Sequence, residues 1–423
     1  MQSKRIFHNS RSPFKKSFYF ILLLIIVVVI IISERKDALN IVGYKDSTKF
    51  KDAEFYKAYF CATDKRVAFD EYLSKNGKYD YLKADTNLYE PDRREMMLIE
   101  KIMYSNQDRI VDLTRKRKYF FSMNFYNNED IIPFIIEELM LLFKFLGPEN
   151  IFLSVYENSS TDNTKKLLYL FSSVLDDYGL KHRIIIDPAK RPNDYDSIRY
   201  LSNIRNKALE PLKSEEELGN VYDKIVFMDS VLFCHYDILE LLYQSDYQGS
   251  DLTGPYDYLM TKDPKKIEFR GGWIARDLDG HNFTQIEKGY VNHGPSVIRF
   301  EEWVPTQVQC TWSGVSVVNA KPFYGKTPIR FRVPDIENGD CPDSERNLLC
   351  SDLWKNGFGR AIIVPRILLS YSLSEARFLE NNYELIMGTN LTQKETVDYT
   401  DGPFKIYCSV LEKYIKAKYK KLT

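Results

Sequence analysis

The sequence predicts an α/β domain, a mostly parallel sheet flanked by helices, carried behind an N-terminal transmembrane helix and a stem. From residue 119 onward, short β-branched and aromatic runs alternate with stretches of helical periodicity, the pattern of a parallel sheet with helices on both faces. Residues 18–32 form an unbroken apolar run. The 423 residues are 44% hydrophobic and 28% charged, which suits an ordinary folded chain with one large domain or two small ones. Fifty-nine Lys and Arg balance fifty-nine Asp and Glu, which argues against a nucleic-acid partner. Aromatic residues at 14% argue against disorder over most of the length.

The apolar run comes first. With its flanking serines it spans about 25 Å as a helix, enough for a thin bilayer. Lys4, Arg5, Arg11, Lys15 and Lys16 precede it with no acid among them, whereas Glu34, Arg35, Lys36 and Asp37 follow in balance. The positive-inside bias predicts a cytosolic tail (1–17), an uncleaved membrane anchor (18–32) and translocation of the rest. Ser33-Glu34-Arg35-Lys36 would be a poor signal-peptide cleavage site. Residues 33–118, charged and Tyr-rich, read as a stem that ends in the basic run Arg115-Lys116-Arg117-Lys118.

Six cysteines would then face an oxidising lumen, and six allow fifteen full pairings. Cys341 and Cys350, bracketing one loop-like stretch, are the expected pair. Cys234, inside an apolar run, reads as a buried thiol. Asn158, Asn282 and Asn390 stand in glycosylation sequons.

The domain proper is expected at 119–375. Strands are predicted at 119–123, 151–156, 184–186 and 225–228, alternating with helices at 131–145, 164–177, 198–209 and 238–243. Later strands follow at 316–318 and 361–364. Residues 376–423 form a C-terminal extension, with Phe404, Tyr407, Leu411 and Tyr414 at the spacing of a docked helix.

Ligands of an open parallel sheet sit beyond the carboxyl ends of its strands. Glu157 follows the second strand and could accept hydrogen bonds from a base or ribose. Ser160, Thr161 and Asp162 at the next helix start are equally well explained as caps. Asp229, after the fourth strand, is a candidate ligand for a hard cation. Asp237, with Glu240 three residues on, has capping-box spacing and is assigned to structure. Arg199 and Arg205 share a helix, either on a solvated face or facing a diphosphate. The phosphate-loop, dinucleotide, zinc-protease and nucleophile-elbow motifs are all absent from the sequence. The five His are scattered, and His293 is more readily structural than a lone ligand.

Taken together, the chain resembles the fungal capsule-associated α-1,3-mannosyltransferases, glycosyltransferase family 69, from near Tyr119 to Tyr371. The resemblance is carried by ordered blocks at 122–133, 153–164, 199–212, 226–234, 273–280, 310–314, 331–332 with 341–345, and 352–357. Among them are Tyr156-Glu157-Asn158, Asn203-Ile204-Arg205-Asn206, Met228-Asp229-Ser230-Val231, Ala275-Arg276-Asp277 and Cys341-Pro342-Asp343-Ser344-Glu345. It implies a GT-A-like fold, a type II anchor in the Golgi or ER membrane, and retaining transfer of mannose from GDP-mannose to a mannose-containing glycan acceptor. Mn2+ is the implied cofactor, and other secretory-pathway glycosyltransferases are conceivable partners. On that reading Glu157 and Asp162 contact the nucleoside, Arg205 the diphosphate and Asp229 the metal. Asn206 and Ser230 complete the donor site, and Asp277 and Glu345 flank the transferred sugar. As structural roles, Asp277 would instead pair with Arg276 or Arg270, and Glu345 within its own loop.

Two positions depart from the family pattern. Similar proteins read Asn-Asp-Val where this chain has Asp229-Ser230-Val231, and in a strand a shift of one residue moves the carboxylate to the opposite face. Arg346 stands where similar proteins tend to carry Cys. The competing readings are the same scaffold with another nucleotide sugar or linkage, and a non-catalytic subunit of a transferase complex.

Overall fold

The computed structural model describes residues 61, 116–189, 197–260, 267–283, 291–381, 396–403 and 405–408. The expected anchor, nearly all of the stem and Asn390 lie outside these residues. Among the described residues no helix is long and apolar enough to cross a membrane.

The first half alternates as predicted. β1 (Tyr119–Phe125), α1 (Ile132–Leu146), β2 (Ile151–Asn158), α2 (Thr164–Tyr178), β3 (Lys181–Asp187), α3 (Ser197–Glu217), β4 (Lys224–Met228) and α4 (His235–Tyr247) follow in order. β1 and β4 read as near-continuous apolar runs because helices cover both their faces. α1 buries Ile135, Leu139, Leu142, Phe143 and Leu146, spaced to form one face. α3 runs past the predicted end at residue 209 and carries Pro211 in its interior. The missing N–H costs one helical bond, but Leu209, Pro211 and Leu212 stay buried and hold the helix to the sheet.

The second half adds β5 (Leu252–Pro255), the hairpin β6 (Tyr258–Met260) and β7 (Ile267–Phe269), and α5 (Gly294–Glu301). It continues with β8 (Thr306–Val308), β9 (Val315–Asn319), α6 (Glu345–Lys355), β10 (Ala361–Val364) and α7 (Leu373–Asn381). The main sheet has eight strands in the order β3-β2-β1-β4-β9-β5-β10-β8. It is mostly parallel, as expected, with six strands running one way, and two reversed strands make it mixed. β9 runs antiparallel between β4 and β5, and β8 is an antiparallel edge strand.

Two crossings set the site. From β1 the chain winds outward through β2 and β3, then returns to place β4 on the other side of β1. That reversal opens a crevice at the carboxyl ends of β1 and β4. β5 and β10 run parallel to each other, and β5, antiparallel to β9, points the same way as β4. The residues that follow β1, β2, β4 and β5 therefore all emerge at one edge.

Three disulfides form: Cys61–Cys234, Cys310–Cys350 and Cys341–Cys408. Cys341 and Cys350 are thus not a pair, and Cys234 is not a free thiol. Cys350 lies on the buried face of α6, beneath Cys310, whereas Cys341 in the preceding loop reaches the C-terminal extension. The extension also docks through Thr400, whose backbone exchanges hydrogen bonds with the Gln307 amide, and through the Tyr407 ring stacked on His281. Of the helix expected there, residues 405–408 are irregular and the remainder lies outside the described residues. Asp237 is structural, but in the third turn position rather than the cap: α4 starts earlier than expected, and the carboxylate accepts the Cys234 N–H at 2.8 Å. Of the basic run expected to close the stem, residues 116–118 are described, and the Lys118 N–H donates to Asp223 at 2.9 Å.

Candidate active site

The crevice between β1 and β4 is built around one carboxylate. Beyond β4 the Asp229 N–H donates to the Gly314 carbonyl at 2.7 Å, and the Val231 N–H turns back onto the Asp229 carbonyl at 2.8 Å. Gly314 has φ +73°, and a Cβ there would meet Val231 Cγ1 at 2.8 Å, so glycine is required beside this turn. The turn sends adjacent side chains different ways. Ser230 Oγ lies 2.8 Å from Asn128 Oδ1 and 3.1 Å from the Asn124 carbonyl, on the β1 side. Asp229 faces α3 and α6. Its Oδ1 accepts from Arg205 Nη2 at 2.8 Å, and its Oδ2 pairs with Arg346 Nη2 at 3.0 Å.

Arg205 also donates from Nε to Glu345 Oε1 at 3.1 Å, and its guanidinium lies against the Trp312 and Phe331 rings. Glu345 opens α6, directly after Ser344, which caps the helix by accepting the Asn347 N–H. Arg346 Nε stands 3.4 Å from the same Glu345 oxygen. Two carboxylates and two guanidinium groups thus form a neutral network. Burial works to raise the Asp229 pKa, but the two arginines outweigh it and hold the carboxyl below its usual range. The Arg205 and Glu345 side chains are 5% and 2% exposed, and those of Asp229 and Arg346 are 16% and 17%. Arg205, expected against a diphosphate, is therefore the inner clamp, and Arg346 is the more accessible cation.

A divalent cation does not fit this donor set. Both Asp229 oxygens are engaged by arginine, and the Ser230 hydroxyl is turned towards Asn124 and Asn128. Among the described residues no three His, Cys, Asp or Glu side chains are grouped to hold a metal. The two guanidinium charges beside Asp229 would offset its attraction for a dication.

The second feature is a cavity of about 440 Å³ on the outer side of α3, beyond β2 and β3. Tyr200, Asn203 and Lys207 line it from successive turns of the helix, and Tyr156, Asn158 and Asp187 from the strand ends. Asp187 Oδ2 accepts from the Tyr156 hydroxyl and, at 3.0 Å, from Lys207 Nζ. Those hydrogen bonds, Tyr156 first, pull the Asp187 pKa down to about 2, while burial and Asp187 push Tyr156 up to about 12. Asn158 Nδ2 donates to the Tyr200 hydroxyl at 2.5 Å. Asn206 exchanges two hydrogen bonds with the Phe331 backbone, at 2.7 and 3.0 Å, and fixes α3 between the cavity and the Arg205 network.

Glu157 and Asp162 lie elsewhere. Strand alternation turns Glu157 away from the cavity that Tyr156 and Asn158 line. It is fully buried, with Oε1 accepting the Ser160 N–H and Oε2 without a hydrogen-bond partner among the described residues. Asp162 accepts the Thr164 and Glu129 N–H groups, both at 3.0 Å, and ties the loop after β1 to that after β2. Asp277 is 1% exposed, and its carboxylate accepts four backbone N–H groups, from Asp279, His281, Asn292 and His293. That makes it an organiser of its own loop, while its neighbour Arg276 pairs with Asp343.

Two groups emerge that the sequence did not single out, and a third that it noted only as a departure. Asp257, beyond β5, is 2% exposed and accepts from the Tyr371 hydroxyl at 3.1 Å, with Arg270 Nε at 3.5 Å. Burial pushes its pKa up to about 7 against the pull of Arg270 and Tyr371. Asp187 closes β3 and directly follows the strand predicted at 184–186, so the reasoning that picked Glu157 and Asp229 would have found it, whereas Asp257 lies two residues beyond β5, a strand the sequence did not predict. Arg346 carried a signal as well, having been noted as a departure from the family pattern.

Residues 118–352 match the family model described as Cryptococcal mannosyltransferase 1. The alpha-1,3-mannosyltransferase CMT1 of Cryptococcus neoformans var. neoformans serotype D is 29% identical over 306 residues, 68% of this chain and 64% of that protein. The chain thus spans just under two thirds of that relative's length. Among solved structures it is similar to the mannosyltransferase PcManGT from Pyrobaculum calidifontis, in complex with GDP-Man and Mn2+. That likeness has a TM-score of 0.34 at 12% identity, over 70% of this chain and 66% of the other. GalNAc-T7 with UDP, GalNAc and Mn2+ gives 0.36 at 12% identity, over 60% and 44%. The family match runs from the start of β1 into α6 and takes in more than half of the 423 residues, so the chain belongs to the Cryptococcal mannosyltransferase 1 family.

Proposed function

We propose that this chain is a retaining α-1,3-mannosyltransferase of GT-A-like fold that transfers mannose from GDP-mannose to a mannose-containing glycan. The observation that carries the reading is the arginine–carboxylate network at the β1/β4 switch point, with a cavity of about 440 Å³ across α3 from it. A cavity of that volume falls within the ordinary range for small-molecule sites. Arg346, braced by Arg205 through Asp229, would face the diphosphate.

In the transfer, the bond between the anomeric carbon and the β-phosphate oxygen breaks and its electron pair goes to the diphosphate. The acceptor hydroxyl oxygen bonds to that carbon, and its proton leaves to the diphosphate or to solvent. Guanidinium groups near the departing diphosphate stabilise the charge that accumulates on it. No step is assigned to a metal. The same reading keeps residues 18–32 as a type II anchor in the Golgi or ER membrane, supported by the basic flank before them and the balanced one after.

Incubating the protein with GDP-mannose and a mannose-containing oligosaccharide should yield GDP and an extended glycan. Donor hydrolysis without acceptor would still mark an enzyme. Failure to consume any GDP- or UDP-sugar would favour the subunit reading.

A further inference from the structure

The donor set around Asp229 disagrees with a metal-bound donor, and the same residues offer a replacement. A divalent cation in such a site neutralises the diphosphate and fixes its position. Here a guanidinium already occupies the place of an ion bound to Asp229: Arg346 Nη2 is 3.0 Å from Oδ2. A metal closing on Asp229 would sit beside both guanidinium groups, which contact the two carboxylate oxygens at 2.8 and 3.0 Å. Arg346 is held in place from two sides, by Asp229 and by Glu345 at 3.4 Å. Its Nε makes no hydrogen bond among the described residues, although it is buried. Arginine presents five N–H donors in a planar fork matched to phosphate oxygens, and most of those on Arg346 are not used by Asp229. Arg205, shut in between Trp312, Phe331, Asp229 and Glu345, cannot take that part without dismantling the network.

We propose that Arg346, braced by Asp229 and Glu345, binds the donor's diphosphate in place of a divalent cation, so that this chain binds its donor without metal. This rests on the reading of the site as a nucleotide-sugar site. It does not require the nucleotide to be GDP or the sugar to be mannose.

The test is calorimetry on the full chain in detergent, with GDP, UDP, GMP and pyrophosphate, each in EDTA and in Mn2+. Parent, Arg346→Ala and Arg346→Lys are compared, and circular dichroism establishes that the variants are folded. The parent should bind a diphosphate equally well in EDTA and Mn2+, within about twofold. Arg346→Ala should weaken that binding by about tenfold or more, as expected for a charge-assisted hydrogen bond. It should also abolish the preference for GDP over GMP, which a merely structural role would leave in place, and Arg346→Lys should restore part of it. Pyrophosphate carries no nucleoside, and UDP a different one. Metal-free binding of either, lost in Arg346→Ala, upholds the proposal even if the GDP-mannose reading fails. Binding that requires Mn2+, binding unchanged in folded Arg346→Ala, or no binding of any diphosphate overturns it.

Discussion

Acidifying the protein from about pH 8 to about pH 5 should stabilise it, and Asp257 is the reason. The carboxyl is 2% exposed behind β5, and burial lifts its pKa from 3.8 to about 7 despite Arg270 and Tyr371. It therefore holds its proton more tightly when folded than when unfolded. The linked stability is greatest below the unfolded pKa, falls as the pH climbs towards about 7, and levels off above that. Between about pH 8 and about pH 5 roughly 2 of the 3 units of displacement act, and at about 1.4 kcal/mol each they set the swing at roughly 3 kcal/mol. For a domain of this size that corresponds to a melting temperature lower by roughly 10 °C at the alkaline end. The decisive comparison is Asp257→Asn, which is neutral at every pH and keeps the shape. Tryptophan fluorescence melts across the range should show a steep profile for the parent and a flatter one for the variant, with the variant more stable at pH 8. Equal slopes in the two proteins would rule out Asp257 as the source of the pH dependence.

Three further outcomes rest on the packing. Arg205→Ala leaves the Glu345 side chain, 2% exposed, without its buried partner, which should cost about 3–5 kcal/mol in a thermal melt; an unchanged melting temperature would return Arg205 to the surface. Cys341→Ser opens the disulfide that closes 67 residues onto the C-terminal extension; it should cost up to about 4 kcal/mol and make the extension protease-sensitive, and an equally resistant extension would count against that pairing. Asn158 is 2% exposed and bonded to Tyr200, so mass spectrometry of the secretory-pathway protein should find its sequon bare, and a glycan there would be incompatible with the cavity. A glycan on Asn282 would support lumenal exposure of the domain.

The alternation from β1 to α4 was legible because each buried parallel strand is a short apolar run and each helix shows its own period. The insertion of β9 between β4 and β5 was not, since antiparallel pairing across nearly ninety residues leaves no local mark on Val315–Asn319. The helix predicted at 198–209 stops short of Pro211, but the buried face around that proline carries α3 on to Glu217. In the site, a carboxylate just beyond a strand end was enough to pick out Asp229, and the family blocks brought Arg205 and Glu345 into view. Neither signal could show that those three side chains bind one another, because the contacts span up to 140 positions. The one-residue shift from Asn-Asp-Val to Asp229-Ser230-Val231 was readable, yet only the turn at Ser230 determines which face each side chain takes. Glu157 was picked for its place at a strand end and Asp162 within a polar helix start, and in the structure both accept backbone N–H groups of the loops there.

The identity of the donor decides whether this chain is a mannosyltransferase of the proposed kind. Purified protein should be incubated with a panel of GDP- and UDP-sugars and a mannose-containing oligosaccharide, and the released nucleotide and the extended glycan followed together. GDP-mannose should be consumed in preference to every other donor, with one mannose added in α-1,3 linkage. Preference for a UDP-sugar, or no turnover of any donor by the folded protein, would overturn that assignment.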